Sequence, residues 1–138
     1  MANEKGAVRV GSSGIIDDGE GRILMALRGV EPSDIWVFPG GGVEFGETAA
    51  EAFIREAREE TGLDIEQPKF LVVFELIKEQ KGIHRVIFFH VAMAKDGEVE
   101  PGDDVKELRW MTVQEIIEQK NLGEVVIPVL KLAGYFKG

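Results

Sequence analysis

Short apolar runs, parted by Gly, Pro and acidic turns, make up most of this chain. Residues 7–16 (AVRVGSSGII) read as a strand interrupted by a Gly/Ser-rich bulge or bend. The turn Asp17–Gly21 leads to residues 22–28 (RILMALR), which read as a second strand in a hairpin with the first. Residues 29–34 form a loop. Trp36-Val37-Phe38 is a short apolar run that leads into a glycine loop, Gly40-Gly41-Gly42. Trp36 suits the core, with base stacking as the alternative. Residues 69–78 (KFLVVFELIK) and 84–94 (HRVIFFHVAMA) flank a polar turn and predict an antiparallel hairpin. An acidic loop, 95–104, precedes a last strand at 105–111 (VKELRWM).

Between these strands the period changes to that of helices. Thr48 stands three residues before Glu51, the spacing of a capping box, and Gly62 supplies a left-handed stop. Ala50, Phe53, Ile54 and Ala57 form one apolar stripe between those signals. Thr112 and Glu115 repeat the capping box ahead of a second helix (TVQEIIEQ). Residues 125–136 predict a terminal helix with Pro128 in its first turn. The pattern implies an α/β (α+β) fold, a mixed β-sheet between α-helices.

A length of 138 residues, 44% hydrophobic and 30% charged, suits one globular domain over 1–138. No apolar run is long enough to span a membrane, and the N-terminus lacks the apolar block of an export signal, so the cytoplasm is expected. Cysteine is absent, which excludes disulfides and thiolate-bound zinc. A net charge of −9 disfavours long nucleic acid as a partner but leaves room for a small anionic substrate bridged by metal ions. His84 and His90 have no metal-ligand spacing, and His90 reads as a packed strand residue.

Glu56, Glu59 and Glu60 fall in one sector of the first helix, because positions i, i+3 and i+4 are neighbours. A Glu-rich helix face alone is most simply a solvated one. A cluster of hard oxygen anions is also what a divalent cation such as Mg²⁺ needs. The wider spacing favours the second reading. From Gly41 there are five residues, then Glu47, then seven, then Arg55-Glu56-Ala57-Arg58-Glu59-Glu60-Thr61-Gly62-Leu63. This resembles the signature of the Nudix hydrolases, in which G, E, REU, EE and GU stand at these intervals and U is a bulky aliphatic. Ala57 is smaller than the usual U residue. A chance match of seven specified residue types at a given start is roughly 10⁻⁸.

The resemblance implies an α/β/α sandwich and a Mg²⁺-dependent pyrophosphohydrolase, with Mn²⁺ as a substitute. It assigns Glu56, Glu59 and Glu60 as metal ligands, joined by the Gly40 carbonyl. Arg55 would orient Glu56, and Glu47 would orient the site. A further acid commonly lies six residues before a Trp in a late strand. Trp110 places it at Asp104, with Asp103 beside it. Glu56 and Asp104 both remain candidates for the general base. Arg28, at the end of the second strand, is either a phosphate contact or an ordinary strand-end arginine.

The implied substrate is a small-molecule nucleotide, a nucleoside diphosphate linked to a group X. The family's ADP-ribose hydrolases often carry Pro about fifteen residues after the box, where Lys78 stands. Its dinucleoside polyphosphate hydrolases often carry Tyr sixteen to eighteen residues after it, where Glu79, Gln80 and Lys81 stand. A short chain of this kind resembles the MutT-like branch, which cleaves nucleoside triphosphates, oxidised ones included. ADP-ribose is the alternative substrate. A nucleotide sensor without catalysis is a second alternative, opposed by the four retained glutamates. Family members are often dimers, and the apolar hairpin 69–94 offers an edge for a homodimer.

Overall fold

The computed structural model describes residues 6–94, 98–102 and 104–136. In chain order the strands are β1 (Val8–Asp17), β2 (Arg22–Arg28), β3 (Trp36–Val37), β4 (Gly40–Gly42), β5 (Lys69–Lys78), β6 (Ile83–Met93) and β7 (Val105–Thr112). The helices are α1 (Ala49–Thr61), α2 (Val113–Ile117) and α3 (Val126–Leu132). All seven strands join one mixed sheet of order β3-β2-β1-β6-β5, with β4 paired to β1 and β7 paired to β2. β1 and β6 run parallel in unbroken register from Val8↔His84 to Asp17↔Met93, and the other pairings are antiparallel.

The expected hairpin 69–94 is present, with a bulge at Leu71 between Phe70 and Val72. Three expectations about the sheet need correction. β1 is not interrupted: Ser12 and Gly14 are small because α1 lies on them. Ser12 Oγ donates to the Ala49 carbonyl at 2.6 Å, and a Cβ on Gly14 would stand 2.7 Å from the Phe53 ring. β1 and β2 barely form a hairpin, sharing only the pair Asp17↔Ile23. β2 instead pairs along its length with β7. The glycine loop is a strand, because Gly40–Gly42 pair with Ser13, Ser12 and Gly11 of β1.

Each face of the sheet carries its own core. On one side α1 buries Phe53 and Ala57 against Ile16, Leu24 and Ala92. On the other, α2 and α3 bury Ile116, Val126, Val129 and Leu130 against Ile15, Ile23, Met25, Phe89 and Met111. Trp36 and Phe38 join this second core, so Trp36 is a core residue. Arg109 lies over its ring, 5.0 Å from the centroid. Complete burial of Phe53 contributes on the order of 2 kcal/mol. The α1 stripe differs from the one expected: Ala52, Phe53, Ala57 and Thr61 are buried, while Ala50 and Ile54 are half-buried. Both capping boxes form, and Gly62 closes α1 with φ 80° and its N–H on the Arg58 carbonyl.

His90 is a packed strand residue, as expected. Its ring stacks on Phe53 at 5.5 Å, with Nδ1 3.3 Å from the Ser13 carbonyl oxygen. Burial holds its pKa below the usual imidazole value, against the contrary pull of that carbonyl.

Candidate active site

The site lies where α1 passes beneath β4. Pairing with β1 pins the glycine strand, and the Ser13 hydroxyl adds a bond to the Pro39 carbonyl at 2.7 Å. The capping box fixes the start of α1, so its carboxylates meet the strand at a set height. The Glu60 carboxylate accepts from the Gly40 amide at 2.9 Å. The Glu56 carboxylate lies against Gly41 so closely that a Cβ there would stand 2.5 Å from Oε2. Only glycine leaves room for it.

Arg55 ties the acids together. Its Nε donates to Glu47 at 2.7 Å, and a second nitrogen donates to the other Glu47 oxygen at 3.0 Å. The third nitrogen donates to Glu56 at 2.8 Å and to Glu59 at 3.3 Å. The Gly42 carbonyl also accepts from Arg55, at 2.9 Å. Glu44 stands 3.4 Å from the same guanidinium. It was not singled out from the sequence, and its place two residues after Gly42 is the only cue. Glu47 in turn accepts from the Glu44 amide at 2.9 Å, which closes the loop before α1.

These contacts divide the electrostatics in two. The Arg55 bond holds Glu47 below the usual carboxylate range, and the Glu47 bond in turn raises the arginine. Burial pushes Glu56 up, with Arg55 opposing. Burial also pushes Glu60 up to about 7; the Gly40 N–H opposes the shift, and the charges of Glu56 and Asp104 add to it. Arg28 pulls the Glu60 value down, so Glu56, Asp104 and Arg28 all lie within electrostatic reach of Glu60.

The structure therefore brings Glu47, Arg55, Glu56 and Glu59 into one bonded group and ties Glu60 to Gly40, with Glu56, Asp104 and Arg28 within electrostatic reach of Glu60. The Asp104 carbonyl accepts from the Gly29 amide at 2.8 Å, which joins the loop ahead of β7 to the end of β2. Asp103 lies outside the described residues. The Arg28 fork is turned onto main chain, donating to the Pro32 and Glu31 carbonyls at 2.9 Å each. Gly102 packs against the last turn of α1, where its N–H meets the Glu60 carbonyl at 3.0 Å.

Among the described residues, no three acid or imidazole side chains stand in metal-holding geometry. The reason is visible in the bonds: Arg55 draws Glu56 and Glu59 to itself, and the Gly40 amide takes Glu60. The donor set is nonetheless all hard oxygen, the set that suits Mg²⁺ or Mn²⁺. Glu60 is a half-buried acid to which no arginine or lysine among the described residues is bonded, and ionisation there calls for a cation. The residues fit a divalent metal.

Comparison with known proteins shows the family and the fold. Residues 7–132 match the family model of the NUDIX domain. Phosphatase NudJ of Escherichia coli K12 is 29% identical over 104 residues, which cover 75% of this chain and 68% of that protein. The crystal structure of a MutT NUDIX hydrolase from Burkholderia pseudomallei superposes with a TM-score of 0.82 at 28% identity, over 91% of this chain and 98% of that one. The NUDIX domain of Shewanella oneidensis NrtR, solved in complex with ADP ribose, superposes with a TM-score of 0.80 over 93% of this chain and 87% of that one. Its 15% identity makes this a likeness of fold alone.

Proposed function

This chain belongs to the Nudix family, and from that premise we propose that it is a Mg²⁺-dependent pyrophosphohydrolase whose preferred substrates are nucleoside triphosphates. It is a hydrolase of phosphoanhydride bonds in nucleotide derivatives, and the family uses divalent cations. The finer reading gives monophosphate and pyrophosphate as products, from ordinary or oxidised nucleotides. The observation that carries the metal-dependent hydrolase reading is the packing of Glu56 and Glu60 under the glycine strand, with no side chain between carboxylates and main chain; the triphosphate preference rests on the resemblance to the MutT-like branch. ADP-ribose is the second reading, supported by the likeness in fold to a domain solved with that ligand. The reading also carries a cytoplasmic location, where nucleotides are made and used. No helix among the described residues is long and apolar enough to cross a membrane.

In this reading Glu56, Glu59 and Glu60, with the Gly40 carbonyl, would hold the metal, and Asp104 would add a further carboxylate. The bound cation would neutralise phosphate oxygens and acidify a water. Arg55 opposes the upward shift that burial gives Glu56 and aims its carboxylate, and Glu47 fixes Arg55. Glu56 and Asp104 are the two candidates for taking the proton of the attacking water. Arg28 would meet a phosphate by leaving the Glu31 and Pro32 carbonyls.

The test is product analysis with Mg²⁺ and a panel of nucleoside triphosphates, oxidised nucleotides, ADP-ribose, dinucleoside polyphosphates and nucleotide sugars. Pyrophosphate release from triphosphates supports the first reading; AMP and ribose 5-phosphate from ADP-ribose support the second. Glu60→Gln keeps the shape and removes a charge, and should lower turnover by roughly 10³-fold or more. Wild-type turnover in that variant would sink the mechanism.

A further inference from the structure

Two cations beside the acidic site are both turned onto one small loop. Residues 29–34 lie between β2 and β3, and none of their side chains is buried. Apolar packing therefore does not hold this loop; polar bonds do. Arg28 donates through its fork to the Glu31 and Pro32 carbonyls, at 2.9 Å each. Lys106 Nζ donates to the Asp34 carboxylate at 2.5 Å. The Asp34 amide donates to the Arg28 carbonyl at 2.9 Å, with Asp34 in the left-handed region at φ 62°. Three loop oxygens thus occupy two positive side chains. Both cations border the site. Arg28 lies within electrostatic reach of Glu60. Lys106 follows Asp104 by two residues, and the Asp104 carbonyl accepts from the Gly29 amide at 2.8 Å. The Lys106 stem lies along Gly29, where a Cβ would stand 3.4 Å from its Cγ.

We propose that loop 29–34 is a plug displaced by substrate, its oxygens standing in for those of a phosphate chain on Arg28 and Lys106. This rests on the hydrolase reading, because a polyphosphate brings enough oxygens to take both cations. Chemistry gives the direction of exchange. A carbonyl is neutral, whereas phosphate oxygens carry charge and bond a guanidinium more strongly. The Lys106–Asp34 pair is open to water, its side chains 51% and 57% exposed, where such a pair contributes little. Arg55 is already bonded to Glu47, Glu56 and Glu59, so it cannot draw a phosphate as Arg28 and Lys106 can. Lys106 is then a binding residue for the substrate, and Asp34 is its competitor. Once both cations turn to phosphate, the loop loses three of its bonds and loosens.

The test uses methylenediphosphonate with Mg²⁺, a diphosphate mimic that resists hydrolysis and carries no base. Calorimetry on the full chain measures its affinity. Asp34→Asn suits the left-handed turn and frees Lys106, and should tighten binding about two- to fivefold. Lys106→Ala should weaken it about tenfold. In the double variant the gain from Asp34→Asn should vanish, since its cation is gone. Hydrogen exchange gives a second readout: the Asp34 amide should exchange faster in the complex than in the free chain. Binding that Asp34→Asn fails to tighten, or that Lys106→Ala fails to weaken, overturns the plug. So does an Asp34 amide that exchanges no faster with ligand bound. These results leave the hydrolase reading standing wherever nucleotides are cleaved. A chain that binds no diphosphonate yet cleaves nucleotides overturns the plug alone; one that does neither overturns both.

Discussion

Arg55 grips Glu47 through two nitrogens, at 2.7 and 3.0 Å, and reaches Glu56 with the third. One cation thus sets the position of two acids on different turns of the chain. Lysine could offer one ammonium but no fork. Arg55→Lys should therefore lower kcat by about 10- to 100-fold with the fold intact. Steady-state kinetics beside far-ultraviolet circular dichroism measures this. Turnover equal to wild type would show that Arg55 positions nothing of consequence.

Glu60 makes the metal-free protein sensitive to alkali. Its folded value, about 7, stands above the ordinary carboxylate value of 4.5. A raised value contributes stability that is fully present below 4.5 and is lost as pH rises through 7. Without metal, stability should fall by about 3 kcal/mol across that window. Mg²⁺ should restore it at pH 8, and its affinity should rise with pH as the competing proton leaves. Melting curves at pH 5 and pH 8, with and without Mg²⁺, give the answer. Glu60→Gln should flatten the metal-free difference.

Gly41→Ala separates activity from stability. The added Cβ would meet the Glu56 carboxylate, the far end of a flexible side chain, at 2.5 Å. Glu56 can swing aside, so the fold should lose less than about 1 kcal/mol. Turnover should drop by about tenfold or more, because the displaced carboxylate is one of the proposed metal ligands. Urea unfolding and kinetics on the same preparation would show the contrast; equal losses in both would mean a merely structural glycine.

His90 should make the protein sensitive to acid. Burial lowers its value, so its contribution to stability is full above the ordinary imidazole value of 6.5 and is lost as pH falls through the folded value. His90→Leu keeps the ring stack's apolar character and cannot be protonated. The gap in urea midpoint between pH 7 and pH 5 should narrow in that variant. An unchanged gap would assign the acid sensitivity to other groups.

Much of this site was legible in the sequence, because helix signals are local. Thr48, Glu51 and Gly62 announce α1 without reference to anything else, and the spacing of the glutamates follows from 3.6 residues per turn. β4 was not legible, since three glycines carry no strand propensity and pair only because Gly11, Ser12 and Ser13 lie beside them. The same limit hid the true use of Ser12 and Gly14. Small residues in a strand signal either a bend or a close neighbour, and only the presence of Phe53 and Ala49 decides which. Arg55 precedes Glu56 by one residue and so stands about 100° around the helix from it. Its length lets it reach four glutamates and a carbonyl, which angular position alone cannot reveal.

The parallel pairing of β1 with β6 at the centre of the sheet also governs how the molecule comes into being. Val8 waits for His84, and Asp17 waits for Met93, while β2, β3, β4, α1 and β5 are all made between them. A chain leaving the ribosome can form α1 early, but its sheet has no middle until β6 emerges. Until then the apolar β1 stays unpaired along that edge. Such long-range closure makes for slow folding and a prolonged need for protection from aggregation.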